Sequence, residues 1–100
     1  MRSIIQRYKS LYAQLEELKY ERGHLFIDYD LNVSTRKNFR LWLSTIHNNK
    51  YQNKSVVEDR GQELPAMIEK KSEAIAHYLK KIKDNKRAIK EVKKKLSNLL

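Results

Sequence analysis

The chain has 100 residues, with 22 Lys or Arg against 12 Asp or Glu and a formal charge of +10 at pH 7. That length bounds it to a single domain with a modest core, and the charge points to a polyanionic partner: nucleic acid, an anionic membrane or an acidic protein. Cysteine is absent, which excludes a disulfide framework and thiolate metal sites.

The opening MRSIIQRYKS is too polar for a secretory core, and no apolar run is long enough to span a bilayer, so a cytoplasmic protein is expected. Two Gly and one Pro in the whole chain, amid abundant Ala, Leu, Glu, Lys and Arg, predict an all-α fold. The richness in Lys, Asn and Ile suits an AT-rich coding sequence of the kind found in phage or mobile elements.

In chain order, Ile4, Tyr8, Leu11, Leu15 and Leu18 recur at spacings of 4, 3, 4 and 3, predicting an amphipathic helix over about 3–22 that Gly23 is placed to end. Residues 24–33, HLFIDYDLNV, change period. Leu25, Ile27, Tyr29, Leu31 and Val33 alternate with polar or outward positions, so 23–34 is expected to be an extended linker laid along the core. Ser34 or Thr35 is placed to cap a second helix over about 35–48, with Phe39, Trp42, Leu43 and Ile46 as its core face. A polar loop is expected at 49–55, with Tyr51 exposed in it.

The strongest pattern follows. Val57, Gly61, Leu64, Ile68, Lys71, Ile75, Tyr78, Ile82, Asn85, Ile89, Val92, Leu96 and Leu99 step by 4 and 3, a heptad row with the isoleucines at a. Ser55 and Glu58 form a potential capping box, and Pro65 suits a first turn or a kink, so a long helix should run from about 56 or 63 to 100. The resulting architecture is a small helical bundle or hairpin with a long basic C-terminal helix of coiled-coil character. Polar Lys71, Tyr78 and Asn85 in the row, flanked by Lys81, Lys86, Lys93 and Lys95, weaken a parallel homodimer through this helix. The acidic side chains of the first helix make it the better neighbour, so an intrachain antiparallel pair is favoured over the homodimer.

No catalytic or metal constellation is evident, and no cofactor is expected. His24, His47 and His77 lack ligand spacing, and Asp28 and Asp30 have no third ligand nearby. Phosphate-cradling and nucleophile motifs are missing; the Arg40–His47 spacing resembles one used by helical ribonucleases, but arises easily by chance. Binding is therefore the expected activity, without catalysis.

Two cationic sets carry that expectation. Residues 79–96 hold nine Lys or Arg and two acids, more than the helical pairs Lys80–Asp84, Arg87–Glu91 and Glu91–Lys95 need. Lys80, Lys83, Arg87, Lys90 and Lys94 fall on the outer face of the heptad. Arg36 and Lys37, with Asn38 and Arg40 beside them, fall in the first turn of the expected second helix, where cations oppose the macrodipole and a bound phosphate would offset it. Duplex DNA, held through phosphates, is the first expected partner. The alternative is an acidic protein, engaged by a seam of Ile82, Ile89, Val92, Leu96 and Leu99; a membrane surface is not expected, since the apolar stripe lacks anchoring Trp or Phe.

Overall fold

A computed structural model describes the backbone of residues 3–48 and 54–99, and the side chains of 3–47 and 63–99. The fold is all-α, two long helices with no strand among the described residues: α1 (Ile4–Asn48) and α2 (Lys54–Leu99). Of the loop expected at 49–55, residues 49–53 with Tyr51 lie outside the described residues, as do the side chains of Ser55, Val57, Glu58 and Gly61. Residues 54 and 55 already belong to α2, which starts before the expected 56 or 63.

α1 begins with a reciprocal cap. The Ser3 N–H donates to Gln6 Oε1 at 3.2 Å, and the Gln6 N–H donates to Ser3 Oγ at 3.1 Å, satisfying two donors that the first turn leaves free. The helix then runs unbroken through the segment expected to be a linker, which corrects that reading of 23–34, the separate helix at 35–48 and the terminating role of Gly23. The alternation over 24–33 divides its apolar residues between opposite sides of a helix. Leu25 is buried and Tyr29 half-buried, whereas Ile27 and Leu31 are 64% and 63% exposed. Thr35, expected as a cap, instead donates its hydroxyl to the Leu31 carbonyl one turn back.

The inward face of α1 is itself a 4–3 row: Leu11, Leu15, Leu18, then Leu25, Tyr29, Asn32, Arg36, Phe39, Leu43 and Ile46, all buried or half-buried. Arg22 holds the one position of that stretch that stays exposed. Trp42, expected in the core, is 42% exposed because it stands beside this row and not in it.

On α2 the heptad assignment matches burial position by position. Leu64, Ile68, Lys71, Ile75, Tyr78, Ile82, Asn85, Ile89, Val92, Leu96 and Leu99 are all buried or half-buried. The outer positions, Lys80, Lys83, Arg87, Lys90 and Lys94 among them, are exposed. Pro65 lies inside the helix, where its missing N–H forfeits one i→i−4 bond, next to Leu64, which is fully buried.

Contacts divide the chain into two compact units, each taking a stretch of both helices. Unit 1 is Met1–Ile27 with Tyr78–Leu100; unit 2 is Asp28–His77. In unit 1 Leu15 packs with Ile89 and Val92, with Leu11, Leu18 and Leu96 around them, and Asn85 reaches the Leu18 carbonyl. The later residues of α1 meet the earlier residues of α2, so the pair is antiparallel, the arrangement favoured from sequence. In unit 2 the core positions are partly polar. Lys71 Nζ donates to Asn32 Oδ1 at 3.5 Å, Asn32 Nδ2 donates to the Asp28 carbonyl at 2.7 Å, and an Arg36 guanidinium N–H donates to Ser72 Oγ at 3.2 Å.

Candidate nucleic-acid interface

Charge is unevenly shared. Unit 1 contains fourteen Lys or Arg and five Asp or Glu, a net +9; unit 2 contains eight and seven, a net +1. The excess that marks the whole chain therefore belongs almost entirely to one helix pair.

Within unit 1 the two flanks differ. One hollow between α1 and α2 is lined by Leu18, Glu21, Lys81, Asp84, Asn85 and Ala88, a mixed set in which two carboxylates outnumber one lysine. Another is lined by Arg22, Lys86, Ile89, Lys90 and Lys93. Four of those five side chains are cationic and none is acidic, above a floor of buried isoleucine. The notch follows from the sequence of α1: Arg22 holds a core-row position yet stays exposed, and its long side chain lines the same hollow as Lys86 and Lys93. These two lie one heptad apart, flanking the α2 row.

Of the residues expected from sequence, Lys90 joins this notch, and Lys80, Lys83, Arg87 and Lys94 are exposed beyond it on the outer face of α2. The helical pairs expected to neutralise them do not close: among the described residues, Lys80–Asp84, Arg87–Glu91 and Glu91–Lys95 form no ion pair. An exposed pair of this kind does form elsewhere, Lys19 Nζ to Glu16 Oε1 at 3.9 Å, and contributes little to stability.

The second expected set is reinterpreted. Arg36 and Lys37 sit deep inside α1, not in a first turn, so the macrodipole argument for a phosphate there does not hold. Arg36 is half-buried and engaged with Ser72, a role in packing register. Lys37, Asn38 and Arg40 are exposed on unit 2. Neither Asp28 nor Asp30 forms an ion pair with Arg36 or Arg40 among the described residues.

The apolar seam is used within the chain. Ile89 and Val92 are 5% and 7% exposed, covered by Leu15, and Ile82, Leu96 and Leu99 are half-buried. It offers a partner little surface while unit 1 is folded. Sequence reasoning overlooked Arg22, Lys86 and Lys93 as a group because they come from two helices. The signal was present in the 4–3 count: carried on from Leu18, it lands on Arg22.

Among the described residues no cluster of three His, Cys, Asp or Glu comes together to hold a metal ion, and no helix is long and apolar enough to cross a membrane. Arg40 and His47 lie about two turns apart on α1, both exposed. No family model, curated protein or solved structure matches this chain.

Proposed function

We propose that the chain is a non-catalytic nucleic-acid-binding protein that holds backbone phosphates on the basic flank of unit 1. The observation that carries this reading is the notch of Arg22, Lys86, Lys90 and Lys93, without a carboxylate in its lining, within a unit of net charge +9. Four cations gathered there repel one another, and a polyanion relieves that repulsion while releasing its own counterions. The exposed row Lys80, Lys83, Arg87 and Lys94 extends the contact along α2 over about 21 Å, at about 1.5 Å per residue. Phosphate contacts set affinity and position and leave sequence unread. They are common to duplex DNA, the polymer expected from sequence, and to a single strand.

The test is paired charge reversal in the full chain. Lys90→Glu with Lys93→Glu should lower affinity for mixed-sequence oligonucleotides at low salt by about tenfold or more. Lys37→Glu with Arg40→Glu, on unit 2, should change it much less. All four residues are exposed, so the fold should persist. Equal losses from the two pairs would contradict the placement, and no oligonucleotide binding by the parent chain would leave an acidic protein as the partner.

A further inference from the structure

The notch accounts for phosphates but not for the rings beside it. On the helix surface the nearest neighbours of Arg22 on the notch side are Lys19 and Phe26, at i−3 and i+4. Glu21 and Leu18 turn to the other hollow. Lys19 and Phe26 belong to a column at seven-residue spacing, Ile5, Tyr12, Lys19 and Phe26, that runs along this flank of α1. Phe26 is 45% exposed and Tyr12 48%. Tyr12 stacks on Tyr8, with ring centroids 6.0 Å apart and planes inclined by 19°. The flank thus presents an aromatic ledge, then Arg22 and a Lys19 paired with Glu16, then a second ring, over about 21 Å between Tyr12 and Phe26 at about 1.5 Å per residue.

Resting on the phosphate-binding reading, we propose that the polymer this flank takes is a single strand, with the notch on its phosphates and its bases stacked on Phe26 and on the Tyr8–Tyr12 ledge. A duplex hides the faces of its bases in its own stack and has no use for such rings. A single strand leaves them open, and stacking on aromatic side chains beside a basic groove is how such strands are held without sequence preference. A cationic neighbour adds to the effect, since Arg22, one turn from Phe26, reinforces a ring-stacked base electrostatically.

The experiment uses the full chain and three probes: a mixed-sequence single-stranded oligonucleotide, its duplex, and inorganic polyphosphate, which has charge but no bases. Phe26→Leu and Tyr12→Leu keep apolar bulk and helix propensity at exposed positions, so folding should be retained, as far-UV circular dichroism would verify. Each should weaken single-strand binding by roughly fivefold or more while leaving polyphosphate binding unchanged. The parent chain should prefer the single strand to the duplex at matched salt. Duplex binding as tight as single-strand binding, or ring variants that leave single-strand affinity intact, would overturn the stacking proposal while leaving the phosphate reading standing. Failure of that underlying reading looks different: no salt-sensitive binding to any of the three probes.

Discussion

The Asn85 side-chain N–H donates to the backbone carbonyl of Leu18 at 3.0 Å, a hydrogen bond between helices inside an otherwise apolar layer. Asn85 is 4% exposed, and its Oδ1 is buried without a hydrogen-bond partner. A polar residue at a seam position fixes register at a cost in stability. Leu18 lies inside α1, so its carbonyl has an intrahelical donor in any case. Asn85→Leu should therefore stabilise the fold, by about 1–3 kcal/mol, since it removes an unsatisfied buried acceptor and fills the layer with hydrocarbon. Denaturant unfolding checks this. A lower midpoint for the leucine variant would mean that the hydrogen bond outweighs the orphaned oxygen.

Gly23 gives a direct test of the continuous first helix. It lies in mid-helix without a positive φ, and a Cβ built on it meets nothing within 4 Å. Gly23→Ala should therefore stabilise the protein by about 1 kcal/mol, the propensity difference between the two residues in a helix interior. Had Gly23 ended a helix in a left-handed conformation, alanine would destabilise instead. The sign of the change in unfolding midpoint separates the two.

Burial also predicts which apolar residues matter. Leu15→Ala should cost about 2–5 kcal/mol, because Leu15 is 5% exposed and packs between Ile89 and Val92. Leu31→Ala, at 63% exposure, should stay within about 0.5 kcal/mol. Equal costs in thermal or denaturant melts would contradict the assigned inward face of α1.

Ile89→Asp distinguishes a seam used inside the chain from one reserved for a partner. A carboxylate placed at a position 5% exposed should strongly destabilise unit 1. Loss of helicity at moderate temperature is the expected outcome. A variant that keeps its parent's melting behaviour and loses only association with another chain would restore the seam as an interface.

The long helix was legible from sequence because its row from Leu64 to Leu99 is mostly apolar and strictly spaced. Asn85 and Lys71 interrupt the chemistry of that row but not its count. The first helix was not legible as one element. Its inward row passes through Arg22, Asn32 and Arg36, polar residues whose long or amide-bearing side chains find partners or reach solvent from core positions. Meanwhile Ile27 and Leu31, which face outward, fall in step with Leu25 and Tyr29 to give a false period of two. The misplaced helix start then lent Arg36 and Lys37 a dipole they do not oppose. The outer cations of α2 could be placed from the heptad alone. The notch could not, because joining Arg22 to Lys86 and Lys93 requires the antiparallel register of two helices.

The most direct test of the central claim, that unit 1 binds phosphates through its basic flank, is the salt dependence of oligonucleotide affinity. Log affinity should fall linearly with log salt, with a slope of about −0.7 per phosphate neutralised on a single strand and −0.9 on a duplex. Four notch cations with their outer row predict a slope of about −3 or steeper. Reversing Lys90 and Lys93 to Glu should flatten it by about one or more. A slope near zero, or one that the reversal leaves unchanged, would contradict the account.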